Sequence, residues 1–440
     1  MGMEWKETEQ LFLDCRFDEC LPLLEEAAKE GSGRAMYELG IIYRDNLSKR
    51  GRDEEKARSL FDSAVAAGEP LAQFALIEGG APLGKEQGEA LFSVIEEEAV
   101  NGGMMAAWAL GTMLYKGIGT EKDEEEGVRW LSVSAEKGYF RAMDDLGMIN
   151  REQDGHEKQE EAFRLFLHGA GKNFKDAEFH MGECYFLGKG VPVDYGRAII
   201  SYGRALSHRS GEAAEELGMM HFMGDGTEKD VKEAIRIFKK GALIGSAGCE
   251  CRLGEFHALG IGMKKSEEEA LKWYKKAWSH GYLPSAGLIG QLYQTSEGKL
   301  RDVKKAAFWF GQAAETGDTA SLCRLADCCL KGIGVEKNEE RAEELYRKAA
   351  DLGSAEAMTR LGSLLAEQGE EKEAADLFEK AAEQNHGEAE LMLGVCCDNG
   401  IGVAEDREKA KEYLKRAMEH GSPEIIDMAE HILETMEEKE

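Results

Sequence analysis

Apolar and small residues return along this chain at two alternating spacings. Around Gly394, Ala389 lies five residues before, Leu393 one before and Cys397 three after. The same offsets recur around Gly40, Ile77, Gly111, Gly147, Gly182, Gly218, Gly254, Gly290, Ala326 and Gly362. From Gly111 to Gly362 the reference residues stand 36, 35, 36, 36, 36, 36 and 36 positions apart. At about 100° per residue, offsets −5, −1, 0 and +3 share one arc of a helix, so each unit opens with a helix carrying one packed face. A second stripe follows at i, i+4, i+7 and i+11, as in Ala270, Tyr274, Ala277 and Gly281, or Ala342, Tyr346, Ala349 and Gly353. That spacing predicts a second helix, closed by a glycine suited to the left-handed conformation. Each unit is therefore an αα-hairpin. Nine of the eleven reference residues are glycine. A glycine inside a helix costs roughly 1 kcal/mol relative to alanine, so its return predicts close approach of the partner helix.

A regular period near 36 belongs to helical-hairpin arrays, which grow by stacking neighbours instead of enlarging one core. Residues 1–31 read as capping helices, with Cys20, Leu24, Ala27 and Gly31 keeping the second-helix stripe. Residues 32–421 read as eleven repeats, and 422–440 as a capping helix with a tail that frays from Glu437 onward. Only six prolines occur and no low-complexity linker interrupts the register, which predicts one continuous domain. Pro70, Pro284 and Pro423 fall where first helices begin, a place that tolerates proline. Ser266 with Glu269 forms a capping-box pattern ahead of a second helix, and Asp194, Asp230, Asp302, Asn338 and Asp406 take the equivalent place.

The motif LGxxY, then GxGV, then Axx[WY], xKAA and a glycine resembles the Sel1-like repeat, a longer-looped relative of the tetratricopeptide repeat. Clear copies are LGEFHALGIG (Leu253 to Gly262), MGECYFLGKGV (Met181 to Val191) and LADCCLKGIGV (Leu325 to Val335). The units beginning near Ala72 and Ala357 have shorter loops without GxG and look like plain tetratricopeptide units. The resemblance implies an all-α, right-handed superhelical solenoid of stacked αα-hairpins, with first helices lining a concave groove. It also implies a scaffold or adaptor that holds a peptide or partner protein in that groove.

Offsets −3, +1 and +4 lie opposite the packed arc, and under the resemblance they form the groove wall; the alternative is that rings there pack against the neighbouring first helix. They supply the candidate partner-binding residues Tyr37, Arg44, Phe74, Trp108, Tyr115, Met148, Arg151, Phe179, Phe186 and Phe222. Aromatic residues and arginine dominate binding hot spots because they bring contact area and a polar handle at low entropy cost. Arg44 and Arg151 read as available for a partner's carboxylates.

The formal net charge is −30. Such a field repels nucleic acid and anionic lipid surfaces; it reads as solvated outer helix faces that keep the chain soluble, with attraction of a basic protein or peptide as the sharper alternative. The N-terminal residues lack a signal-peptide pattern and no stretch has membrane-spanning length, so the expected location is the cytoplasm. Secreted cysteine-rich relatives pair cysteines between the two helices of a repeat. Here Cys184, Cys249, Cys251, Cys323, Cys328, Cys329, Cys396 and Cys397 all fall on first helices, which reads as reduced, buried thiols.

No catalytic, cofactor or metal site is expected. Tyr185, His221, His257 and Tyr293 share the +3 slot and read as a hydrogen-bonded core ladder. His180 and Cys184 have ligand-like spacing without a second pair. The GxG sequences continue into neither a dinucleotide nor a Walker pattern. Ser134 to Lys137 and Ser296 to Lys299 match S-x-x-K but lack the companion S-D-N and K-T-G motifs, leaving a penicillin-binding or weak β-lactamase-type hydrolase as the enzymatic alternative. A regulatory or sensor subunit of a signalling or defence complex is the third reading.

Overall fold

Each hairpin is set by two local devices, one at the start of its second helix and one inside its first. A computed structural model of the chain describes residues 2–437, and those residues contain 25 helices and no strand. Asp194, Asp230, Asp302, Asn338 and Asp406 each accept a hydrogen bond from the backbone N–H three residues on, which satisfies a donor that helix geometry leaves without a partner. Their own N–H groups reach back to the +3 residue of the first helix, as Asp194 N to Tyr185 O at 2.8 Å and Asp406 N to Cys397 O at 2.8 Å. One residue thus closes the loop and nucleates the next helix. Ser266 caps in the same way, accepting from Glu269 N at 3.2 Å. The reciprocal half of its predicted capping box is absent, because Glu269 Oε1 accepts from Lys272 Nζ at 2.6 Å instead.

The reference glycines sit where the second helix crosses the first. A Cβ on Gly182 would lie 2.6 Å from the Tyr202 ring, and one on Gly290 would lie 2.6 Å from the Phe310 ring. The aromatic residue of the second stripe is therefore seated on the glycine of the first. At Gly111 the approach is tighter still: a Cβ would meet Leu131 N at 2.8 Å and Gly127 O at 2.9 Å, both backbone atoms that no rotamer change moves. Overpacking typically costs 1–3 kcal/mol, and alanine returns only about 1 kcal/mol of helix propensity. Gly111→Ala is accordingly expected to lose up to about 2 kcal/mol in urea denaturation; a gain in stability would contradict the contact.

Gly2–Leu13 and Phe17–Lys29 precede the first hairpin, and Pro423–Glu437 follows the last. Residues 438–440 of the expected tail lie outside the described residues. Where the sequence reads as one continuous domain, the fold divides into two compact units, up to Leu253 and from Gly254, with the boundary inside the helix Ala247–Leu259. The first unit holds contacts that a simple stack lacks. Phe140 meets Phe12 and Phe17 with ring centroids 5.8 Å apart. Lys175 Nζ donates to Asp45 O at 2.7 Å, Arg209 Nε to Asn46 Oδ1 at 3.1 Å, and Asn46 Nδ2 to Ile244 O at 3.2 Å. The loop of its first hairpin thus rests on residues at the turns between later ones. The second unit, which contains the hairpins from Ser285–Thr295 to Arg407–His420, keeps the regular register and a core of Ala, Leu, Cys and single aromatic residues.

Candidate functional site

The −3 positions of the first three hairpins are interior. Tyr37 and Phe74 are 0% exposed and Trp108 is 2% exposed, so the expectation that they line an open wall is corrected. Phe74 meets Trp108 edge-on at 5.5 Å, Trp108 meets Tyr139 at 5.6 Å, Tyr139 meets Phe140 at 5.1 Å and Phe140 meets Phe174 at 4.6 Å. Trp108 Nε1 donates to Asp145 Oδ2 at 2.6 Å. The physical reason is that first helices of successive hairpins stand side by side, and the −3 residue points at that flank. Helical arithmetic gives directions around one helix and is silent on where the neighbour stands.

Arg44 and Arg151 are also corrected, because neither is free. Arg44 Nε contacts Asp45 Oδ1 at 2.8 Å, its Nη1 donates to Ala75 O at 3.3 Å, and Glu78 lies 3.8 Å away. Arg151 is paired with Glu183. Around them the first unit encloses a polar interior. Burial holds Arg141 down to about 10, with the Arg44 charge adding to the effect. Burial raises Asp144, Asp145 and Asp176 above the usual carboxylate range, and for Asp144 the neighbouring Asp176 and Asp145 add to it. His180 is lowered to about 3 by burial and by Arg151, and its Nδ1 lies 3.1 Å from Asp144 Oδ1. This network holds hairpins together.

The remaining candidates, Tyr115, Met148, Phe179, Phe186 and Phe222, are half-buried. Phe179 lies against Tyr202 at 5.7 Å, Phe186 against Tyr195 at 5.3 Å, and Lys229 Nζ stands 5.0 Å over the Phe222 ring. The residue after each of the last two phenylalanines is open to water: Leu187 and Met223 are both 56% exposed. Val193 and Tyr195 are exposed beside them. Phe186-Leu187 and Phe222-Met223 end first helices one repeat apart, just before Gly188 and Gly224, whose left-handed φ of 72° and 93° turns the chain away. The result is an apolar strip along the loop edge of the first unit. The sequence signal for it was the offset +5, next to +4, which the chosen stripe left out.

Sequence reasoning also missed a buried ion-pair motif. Glu178 is fully buried and pairs with Arg204 at 2.9 Å and His208 at 2.7 Å. Glu390 repeats this with Arg416 at 2.8 Å and His420 at 2.9 Å. The signal was present: Glu178, Glu250 and Glu390 all precede a reference glycine by four, and the same repeats place His208, His280 and His420 before the terminal turn. The expected +3 ladder is not formed by side chains. Tyr185 OH accepts from Arg197 and Tyr293 OH from Lys275, while the +3 backbone carbonyls make the recurring bond.

Ser134 is buried and its Oγ donates to Met104 O at 2.7 Å; Ser296 is buried as well. The described residues contain no group of three or more side chains that could hold a metal ion, no disulfide joins any of the ten cysteines, and no helix is long and apolar enough to cross a membrane.

The family model of the Sel1 repeat matches residues 33–69, 105–139, 175–205, 211–246, 247–282, 285–318, 319–354, 355–386 and 387–422. The hairpins Pro70–Val100 and Phe140–Gly171 fall outside those matches. Among solved structures, a protective antigen of uropathogenic Escherichia coli displaying an SLR fold is 25% identical with a TM-score of 0.54, over 91% of this chain and 79% of that one. A Sel1 repeat protein from Oxalobacter formigenes is 24% identical with a TM-score of 0.52, over 69% of this chain and 89% of that one.

Proposed function

Since the chain belongs to the Sel1 repeat family, whose members are generally protein-interaction scaffolds, we propose that it holds a partner protein on the apolar strip formed by Phe186, Leu187, Val193, Tyr195, Phe222 and Met223. The observation that carries this is the exposure of Leu187 and Met223 at successive first-helix ends, each beside a half-buried phenylalanine. An open apolar run of this kind is unfavourable in water unless something covers it. Half-buried aromatic rings flanked by flexible methionine and leucine suit a helix or an extended segment laid across them. Tyr115 holds the equivalent +4 offset in an earlier hairpin. The net charge of −30 speeds encounter with a basic partner and opposes nucleic acid and anionic membrane. The function is binding without a chemical step, and ten cysteines without a disulfide suit the reducing cytoplasm.

The test is a crosslinking pull-down from the native host, read by mass spectrometry, with the wild type and the Leu187→Glu, Met223→Glu double variant. Both residues are exposed, so the variant keeps its helical signal and melting temperature. Recovery of the wild-type partner is expected to fall at least tenfold, and equal recovery by both proteins would remove the proposal.

A further inference from the structure

The helices Tyr195–Ser207 and Val231–Leu243 leave a cleft of about 520 Å³ between them, floored by Leu217 and His221 of the helix Gly211–Met223. That volume is within the range of small-molecule sites. From this cleft we infer a binding site for a linear carboxylate with an apolar chain, separate from the partner strip.

Three observations carry the inference. The first is charge. In a chain with a net charge of −30, Lys49, Arg209, Arg236 and Lys240 all line this one cleft, against Glu233 as its one carboxylate. Arg236 already binds Glu233 through both Nε and Nη2, at 2.7 and 2.5 Å. Lys240 makes no ion pair among the described residues. Arg209 spends Nε on Asn46, which leaves its terminal nitrogens to face an acidic group in the forked geometry that suits a carboxylate. The walls between these cations are apolar, with Ile199, Leu206 and Ile237 among them.

The second is Gly203, mid-helix in the cleft wall. A Cβ there meets nothing within 4 Å and its φ is not left-handed, so neither close packing nor backbone conformation accounts for the glycine. The reference glycines are covered by a neighbour; this one opens onto the cleft. The third is Arg209 itself. It holds a left-handed φ of 72° at a turn where Gly68, Gly102, Gly138, Asn173 and Gly245 serve in other hairpins of the unit. A long side chain is costly in that conformation, and here it brings the guanidinium to the end of the cleft, where Lys49 arrives from the loop between the first hairpin's helices.

The probe is decanoate, followed by isothermal titration calorimetry on the full chain at low salt. Saturable one-site binding is expected for decanoate, and at least tenfold weaker binding for the uncharged 1-decanol. Gly203→Leu fills the open space and improves helix propensity, so it should abolish decanoate binding while leaving the melting temperature equal or higher. Lys240→Glu, at a residue with no partner to lose, should weaken binding at least tenfold. Absence of saturable decanoate binding by the wild type, equal binding of 1-decanol, or undiminished binding by folded Gly203→Leu would each overturn the inference. Because Leu187 and Met223 lie outside the cleft, their double variant should bind decanoate normally, so failure of one proposal leaves the other standing.

Discussion

Trp108→Ala is expected to lower folding stability by about 4 kcal/mol, in the range for removing a buried aromatic ring. The ring is 2% exposed and packs on Phe74 and Tyr139, so its loss opens a cavity between three successive hairpins. Its Nε1 donates to Asp145, whose carboxyl is nearly buried, and truncation leaves that acceptor without its donor. Tyr115→Ala, about two turns further along the same helix at a half-buried position, should cost less than about 1 kcal/mol, as surface changes usually do. Urea denaturation of the two variants separates the cases. Retention of wild-type stability by Trp108→Ala would show that the ring is not held inside the stack.

The second large effect is pH-dependent and centres on Glu38. It is fully buried, and neither carboxyl oxygen has a hydrogen-bond partner among the described residues. Burial raises it from 4.5 to about 8, opposed by Arg34 and reinforced by Glu9 and Glu69; the Cys20 thiol also faces it from the preceding helix. Between about 4.5 and 8 the folded chain therefore keeps a proton that the unfolded chain releases. Stability from this group falls as pH rises through that window and levels off above it, the reverse of a salt-bridged carboxylate. Glu38→Gln keeps the shape and cannot ionise. At about 1.4 kcal/mol per unit, the variant should gain on the order of 3–5 kcal/mol over the wild type between pH 5 and pH 8.5. Urea midpoints of both proteins at those two pH values measure it. Parallel loss in the two proteins would mean that Glu38 ionises without penalty. Asp144, Asp145 and Asp176 act in the same direction in both, so the difference between proteins isolates Glu38.

The hairpins were legible because their causes are local. The glycine at each reference position, the aromatic residue that covers it and the Asp or Asn that starts the second helix all act within about 30 residues, and periodicity reports such contacts. The candidate site was less legible because it depends on neighbours. Phe74 and Trp108 face away from their own hairpins, as the angles require, yet residues of neighbouring hairpins cover them, while the buried Tyr37 ring lies 6.2 Å from Phe61 of its own second helix. Arg44 and Arg151 look free on one helix and are paired across to the next. The contacts of Phe140 with Phe12 and of Arg209 with Asn46 join residues far apart in the chain, and no offset within one repeat encodes them. The strip at Leu187 and Met223 was within reach, since exposure there follows from two successive apolar residues directly before a left-handed glycine. The Glu178 and Glu390 clusters were within reach too, through residues that vary together between repeats of a single sequence.

Hydroxyl-radical footprinting of the free chain, read residue by residue by mass spectrometry, tests the division between packed spine and open strip most directly. Met223, Leu187 and Tyr195 should be modified rapidly in the folded protein, while Tyr37, Phe74 and Trp108 should stay protected until denaturant unfolds it. Rapid modification of Trp108 and Phe74 together with protection of Met223 and Leu187 would contradict the account.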